Sequence, residues 1–347
     1  MNCFTYVVFI FHLSSLGPRH SVNALAMYEV VRSKGIPDSH IVLMLAGFPA
    51  TDPRNRFPGR LFMNSETRRN VVGPDVGVDA SDLGVNVASF LAVLTGQNHK
   101  EGVPQNLRLQ SNENSSVLVF LTGHGGDQFL KFHDSEELGS PELGAAISTM
   151  HARGRFKELL VLLDTCQAAT MTEHIVAPNV LSLASCERGE NSYAMHGDPA
   201  IGVSTVDRFT AAVVNFMAKR RNGFGGTIQD LYASLDSRHL RSHAVLGNHS
   251  FKRSPHEVLC SDFFAAQPVA FHDGDLSAHQ NMDINLDALP SFDDPVIRLG
   301  RTERRPGEEA RSSKFSDNVK GELSLEVYIS TALLLSVVFG GALVGLL

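Results

Sequence analysis

The sequence predicts an α/β fold with a mainly parallel sheet flanked by helices. Strands are predicted at 41–45, 117–121 and 158–164, and the uninterrupted apolar runs in them, IVLML, VLVFL and LLVLL, are typical of strands that are buried on both faces. Helical patterns lie between these runs, and this alternation indicates right-handed crossovers between parallel strands. With 43% hydrophobic and 19% charged residues, the chain of 347 residues has the apolar content that a sizeable core needs.

The individual elements follow from start and stop signals along the chain. Ser21 is predicted to cap a helix that ends at Gly35, and the strand at 41–45 follows it. Residues 46–80 are predicted to be mainly loop, because they are rich in Pro, Gly, Asn and Arg. Further predicted elements are a helix at 83–94, a hairpin arm at 129–132, a helix from Ser140 to Gly154, a strand at 180–185, a helix at 207–221 and a strand at 258–264.

Both ends of the chain allow two interpretations. The start, MNCFTYVVFIFHLSSLG, is interpreted as a first strand, and a signal peptide without its basic residues is the alternative. The last 21 residues carry no charge, and about 20 apolar residues suffice for a helix to cross a bilayer. The predicted organisation is a folded domain at 1–268, a polar linker at 269–322 and a retained membrane helix at 323–347. A processed glycolipid-attachment signal is the alternative for the tail.

Charge and cysteine content exclude some classes of function. The formal net charge of −7 leaves no basic excess for binding nucleic acid. The four cysteines show no CxxC spacing, so neither a zinc site nor a disulfide framework is indicated, and Cys186 and Cys260 are predicted to be inert buried thiols. Asn-x-Ser triplets at Asn114 and Asn248 weakly favour a secretory location.

A histidine and a cysteine directly follow two of the buried strands. His124 lies in the run TGHGG after the strand at 117–121, and Cys166 follows the strand at 158–164. The carboxyl ends of parallel strands meet at one edge of a sheet, so both side chains are expected at the same rim. There an imidazole can take the thiol proton, and the thiolate can attack a carbonyl group. A Gly-rich turn with an incidental histidine and a small buried cysteine are the alternatives.

The glycine after the histidine fits the same chemistry. Attack on a carbonyl group creates an oxyanion, which needs preorganised N–H donors. Gly125 has no side chain to keep a substrate away from its backbone, so we expect its N–H and that of Cys166 to form the oxyanion hole. This chemistry requires no cofactor.

Two long motifs resemble a known family. TGHGGDQFLKFHDSEEL and LLDTCQAATM are similar to the catalytic subunits of glycosylphosphatidylinositol (GPI) transamidase, within the legumain-type cysteine peptidases of the caspase-like clan. The resemblance covers roughly residues 5–268 and implies a caspase/legumain-like fold. Further similar stretches are GIPDSHIVLMLA at 35–46, DPRN at 52–55, FLAVLTG at 90–96, DPAIGV at 198–203 and VLCSDFF at 258–264.

The resemblance implies a function. It makes His124 the general base and Cys166 the nucleophile, which would attack precursor proteins at their GPI attachment residue. The amine of the GPI lipid would then resolve the thioester in place of water. The family acts as part of a multi-subunit complex in the endoplasmic reticulum membrane, with a lumenal domain and a single span. An asparaginyl endopeptidase and a non-catalytic structural subunit are the alternative functions.

The sequence departs from the family pattern at two places. Gly17 and Pro18 stand where the family has Asn-Tyr, so no third catalytic residue carries over. Thr51 stands where the family has the cysteine that links it to a partner subunit, so that disulfide is expected to be absent.

Four further residues are candidates for binding substrate or a cation, and a purely structural role is the alternative. The resemblance suggests Ser185 and Asp198 for the substrate pocket, although Ser185 could equally serve packing. Asp38 and Asp79 are weak candidates for a structural divalent-cation site, and solvated loop carboxylates are the favoured alternative because no ligand spacing is evident.

Overall fold

A computed structural model of the chain describes residues 5–11, 18–53, 55–64, 67–73, 76–97, 107–133, 135–198, 202–218 and 226–266, with 5–11 described by their backbone. The predicted linker and membrane helix, at 269–347, lie outside the described residues, as does Gly17. Among the helices that are described, none is long and apolar enough to span a bilayer.

The described elements alternate as the sequence predicts. The strands are β1 (Thr5–Phe11), β2 (Ile41–Leu45), β3 (Ala80–Ser81), β4 (Ser116–Thr122), β5 (Gly125–Gly126), β6 (Phe129–Phe132), β7 (Glu136–Gly139), β8 (Glu158–Asp164), β9 (Val180–Ala184), β10 (Ala194–Asp198), β11 (Val203–Asp207) and β12 (Val245–His249). The helices are α1 (Arg19–Ser33), α2 (Val87–Thr95), α3 (Ser140–Ala152), α4 (Arg208–Ala218), α5 (Ile228–Ala233), α6 (Ser237–Leu240) and α7 (Ser261–Phe264).

Seven strands form the central sheet, in the order β12-β9-β8-β4-β1-β2-β3. All neighbours are parallel except the edge strand β12, which is antiparallel to β9. The mainly parallel sheet is therefore confirmed. The strand interpretation of the N-terminus is confirmed too, since β1 pairs with both β2 and β4.

Alternate residues of the central strands feed two apolar layers, one on each face of the sheet. In β4, Leu118 and Phe120 are buried in the layer that includes α1 and α4. Val119 and Leu121 are buried in the layer that includes α2 and α3. Because both faces are covered, the strands are continuously apolar, and this is the property that made them recognisable in the sequence.

Helix boundaries differ from the prediction at the start of α1 and α2. Helix α1 begins at Arg19, and Ser21, the predicted cap, is buried inside it. Helix α2 begins at Val87 and not at Leu83, because Asn86 caps it by accepting a hydrogen bond from Ser89 N at 2.8 Å. A polar cap thus decides where α2 begins, whereas α1 follows Pro18 without a side-chain cap.

The prediction of a strand at 258–264 is wrong, since Ser261–Phe264 form the short helix α7. Phe263 and Phe264 are both fully buried, and a short apolar run of this kind does not distinguish a strand from a helix. The sequence reasoning also missed β12 and the β10–β11 hairpin. The hairpin arm at 129–132 is confirmed as β6, the middle strand of the small sheet β5-β6-β7.

Gly144 provides a test of how α3 packs against the segment that follows Cys166. A Cβ at this position would overlap with the backbone of His174, whose carbonyl carbon would lie 2.7 Å away. Alanine is normally favoured over glycine inside a helix by about 1 kcal/mol. We nevertheless expect Gly144→Ala to lower the free energy of unfolding by about 1–3 kcal/mol, as overpacking does.

Urea unfolding of the full chain measures this effect. Gly197→Ala is the matched control, because nothing lies within 4 Å of a Cβ at that position. Equal stability of the Gly144→Ala variant and the wild-type chain would contradict the packing of α3 described above.

Candidate active site

Strand register brings His124 and Cys166 to the same rim of the sheet. β4 and β8 are adjacent and parallel, and Thr122 lies opposite Asp164 in their register. His124 and Cys166 therefore each stand two residues beyond aligned strand ends. Gly123 N extends the ladder by donating to the carbonyl oxygen of Asp164 at 3.3 Å. The geometric expectation from the sequence, that crossovers place both residues on one rim, agrees with this register.

The glycine turn packs directly on the residue before the cysteine. A Cβ at Gly125 would overlap with Thr165 Oγ1 and would lie 2.6 Å from the carbonyl oxygen of Phe129. Glycine is thus required at position 125 because neighbouring atoms approach it closely. Gly125 does not have a positive φ, so its backbone conformation is not the reason. The loop is held on its other side by Lys131 N, which donates to the carbonyl oxygen of His124 at 2.8 Å.

The chain turns sharply after Cys166. Gln167 adopts a left-handed conformation with φ of 54°, and a short 3₁₀ turn at Ala168–Thr172 follows. This turn leaves Cys166 half-buried at the surface of the rim. Gln167 is fixed by the segment after β9, because its N–H donates to Glu190 O at 2.9 Å and its Oε1 accepts from Gly189 N at 3.0 Å.

A second histidine lies against His124. The ring of His20 meets that of His124 edge-on, with centroids 5.0 Å apart and planes at 82°. His20 is 4% exposed, and its Nδ1 lies 3.5 Å from Asp207 Oδ2. Arg19 Nε lies 3.1 Å from Asp207 Oδ1. Helix α1 thus places two basic side chains between β11 and the histidine loop.

Asp207 is the acidic centre of this cluster. Burial alone would raise the pKa of its carboxyl group, but the hydrogen bond and charge of His20, with Arg19 and Asn23, lower the pKa below its ordinary value. Asn23 joins the cluster to the histidine loop. Its Nδ2 donates to Asp207 Oδ2 at 2.6 Å and to Thr122 Oγ1 at 2.9 Å, two residues before His124.

Sequence reasoning missed the roles of His20, Asn23 and Asp207. Arg19 and His20 directly follow Gly17 and Pro18, where the sequence departs from the family pattern. The signal that the sequence offers is the group of polar residues at the start of α1. His20, Ser21 and Asn23 are polar residues in the first turns of α1, and all three are buried.

The predicted pocket residues are both buried. Ser185 is 0% exposed, and its Oγ donates to Thr165 O at 3.0 Å, which supports the turn that carries Cys166. Asp198 is 7% exposed at the end of β10. Ser185 therefore has a packing role, and a contact of either residue with substrate stays a prediction.

The weak cation candidates already have protein partners. Tyr28 Oη donates to Asp38 Oδ1 at 2.6 Å, and Leu43 N donates to Asp79 Oδ2 at 2.8 Å. Burial and the bond to Asp38 raise the pKa of Tyr28 to about 12. Within the described ranges, no three His, Cys, Asp or Glu side chains are grouped so that they could hold a metal ion. A cation at Asp38 and Asp79 stays a prediction.

A cysteine and a histidine at the ends of adjacent parallel strands, with a close-packed glycine between them, form an arrangement that can support thiol chemistry in an α/β enzyme. Residues 18–258 match the model of the peptidase C13 family. The chain belongs to this family.

Curated relatives carry one common name. The chain is 40% identical over 247 residues to the GPI-anchor transamidase of Saccharomyces cerevisiae, an alignment that covers 71% of this chain and 60% of that protein. It is 42% identical over 248 residues to the GPI-anchor transamidase of Homo sapiens, with 72% and 62% covered. The alignments thus span about three fifths of the length of these relatives.

Among solved structures, caspase-1 from Spodoptera frugiperda aligns with 71% of this chain and 88% of its own. The sequence identity is 12% and the TM-score is 0.40.

Gly125 gives a direct test of the site geometry. We expect Gly125→Ala to push Thr165 away and to separate His124 from Cys166. The rate at which iodoacetamide alkylates Cys166 should fall by roughly tenfold or more, since a misplacement of about 1 Å between reacting groups has effects of this size. Mass spectrometry of the Cys166 peptide measures the rate.

Gly126→Ala is the matched control from the same short strand. A Cβ there would meet the ring of Phe129, which is a side chain that can move, at 2.5 Å. A smaller loss is therefore expected. Equal rates for the Gly125→Ala variant and the wild-type chain would refute the proposed packing of the two loops.

Proposed function

We propose that the chain is the catalytic subunit of a GPI transamidase. The observation that carries this proposal is the register of β4 and β8, which aligns His124 with Cys166. The names of the relatives from Saccharomyces cerevisiae and Homo sapiens support the choice of substrate. Precursor proteins with a C-terminal GPI signal and the GPI lipid are the proposed substrates.

The first half-reaction is acyl transfer to the enzyme. His124 takes the proton from the Cys166 thiol, and the sulfur attacks the carbonyl carbon of the attachment residue. The N–H groups of Gly125 and Cys166 stabilise the oxyanion. His124 then returns the proton to the nitrogen of the breaking C–N bond, so the C-terminal signal leaves as a free amine and a thioester remains.

In the second half-reaction, the ethanolamine amine of the GPI lipid attacks the thioester carbon. His124 takes a proton from this amine, a new amide bond forms, and the C–S bond breaks to restore the thiol of Cys166. No metal ion or cofactor takes part in these steps. An endopeptidase would differ only in the second step, because water would attack and release a carboxylic acid.

The proposal predicts that each catalytic residue is essential for chemistry and dispensable for folding. In cells that lack their own transamidase, Cys166→Ser and His124→Ala should each abolish surface display of a GPI-anchored reporter, whereas the wild-type chain restores it. Thermal unfolding of both variants should match the wild-type curve. Normal display with the Cys166→Ser variant would favour a non-catalytic structural subunit.

The product distinguishes transfer from hydrolysis. Mass spectrometry of the reporter should find the lipid-linked ethanolamine on its new C-terminus. A free carboxylate on that residue, with the signal removed, would instead indicate an endopeptidase of the legumain type.

We further propose that the domain is lumenal, in the endoplasmic reticulum membrane, and held by a single C-terminal span within a multi-subunit complex. Thr51 carries no thiol and is exposed in a short turn at Pro49–Thr51, so partner subunits should associate without a disulfide at this position. The complex should be found in endoplasmic reticulum membranes. Its subunits should give the same bands on reducing and non-reducing gels. A reduction-sensitive heterodimer that maps to this turn would contradict the proposal.

A further inference from the structure

A buried carboxyl group lies at the end of β8, two residues before Cys166. Asp164 is 1% exposed, and three donors surround its oxygens. Ser192 Oγ lies 2.6 Å from Oδ1, while Thr210 N and Oγ1 lie 3.1 and 2.5 Å from Oδ2. Its own backbone oxygen accepts from Gly123 N. Asp164 thus touches the histidine loop, helix α4 and the segment after β9.

We propose that Asp164 is a positioning residue for Cys166: its buried carboxyl group ties the end of β8 to Ser192 and Thr210, and the protonated form suffices for this role. The proposal relies on the proposed function only in taking Cys166 as the nucleophile. It is independent of which acyl donor or amine the enzyme uses.

The surroundings of Asp164 make its carboxyl group easier to protonate than an ordinary one. Burial raises the pKa of its carboxyl group to about 7, and the negative charge of Asp207 adds to the shift, while the bonds from Ser192 and Thr210 oppose it. Asp207 is the carboxylate that stays ionised, because Arg19 and His20 compensate its charge. The buried thiol of Cys186 is a further titratable group that interacts with the charge of Asp164.

A neutral carboxyl group satisfies the geometry as well as an ionised one. The carbonyl oxygen of a protonated acid still accepts from Thr210, and its O–H can donate to Ser192 Oγ, because a hydroxyl group both donates and accepts. Asparagine can make the same set of bonds, since its amide presents one acceptor and one donor. Asp164→Asn therefore imitates the neutral form at every pH, whereas Asp164→Ala leaves Ser192 and Thr210 without this partner.

Charge at Asp164 also bears on the nucleophile. Ionisation near pH 7 would place a negative charge two residues from Cys166, and a nearby negative charge disfavours the thiolate, which is the reactive form. The wild-type chain should thus gain less reactivity on alkalinisation than a chain in which residue 164 cannot ionise.

Alkylation of Cys166 by iodoacetamide in the full-length chain, measured at pH 6 and pH 8, tests the proposal. At pH 6 the Asp164→Asn variant should react at the wild-type rate. At pH 8 it should react faster than the wild-type chain by roughly three- to tenfold, as expected for removal of one nearby charge. Asp164→Ala should react more slowly than the wild-type chain at both pH values, and Ser192→Ala should show the same direction with a smaller loss.

Asp262→Asn is the matched control. Asp262 contacts Arg253, which binds Glu158 at the opposite end of β8, so this variant should keep the wild-type pH dependence. The same rates for Asp164→Asn and the wild-type chain at both pH values would overturn the proposal. So would an equal loss at both pH values in the Asp164→Asn variant, since this would show that the ionised form is needed. Should Asp164→Ala fail to fold, Asp164→Asn and Ser192→Ala still decide. Because no GPI substrate enters the assay, failure of the reporter experiment would refute transamidation without touching this result.

Discussion

The register between β4 and β8 is the constraint on which the site depends. Thr122 opposite Asp164 fixes the two loops at equal height above the sheet, and Gly123 N continues the ladder one residue further. A shift of one residue would turn every side chain of β4 to the other face. The two apolar layers forbid that shift, because residues such as Phe120 and Leu121 are fully buried on opposite sides. Core packing and the geometry of the site are therefore one property of the sheet.

Polar groups buried below the rim then connect the loops to the helices. Asn23 binds both Thr122 and Asp207, and Thr210 binds Asp164, so α1 and α4 each reach one of the two strand ends. Two buried carboxyl groups side by side would be costly if both were ionised. The pKa values of Asp164 and Asp207 shift in opposite directions, so Asp164 is the more easily protonated of the two, while Asp207 contacts the basic side chains of Arg19 and His20.

The parts of the fold that could be predicted are those with a continuous local signal. The runs at 117–121 and 159–163 are apolar throughout, so their strands and the rim positions of His124 and Cys166 followed from the sequence. The edge strand β12, with the sequence VLGNH, is only half covered and carries no such signal. His20 and Asp207 are 187 residues apart in the chain (207 − 20), and their contact depends on how α1 packs against β11. No spacing rule reports a contact of that kind.

The two cysteines near the rim show what the position at a strand end contributes. Cys186 follows β9, and its Sγ lies 3.2 Å from the carbonyl oxygen of Thr165. It is 0% exposed, and burial raises its pKa to about 11, so its thiol stays protonated and inert near neutral pH. Cys166 has the same side chain. It precedes the left-handed turn at Gln167 and is half-buried at the rim, beyond the end of the strand next to that of His124. The residue type is shared by both cysteines, so the turn and the strand register are what distinguish the accessible position of Cys166 from that of Cys186.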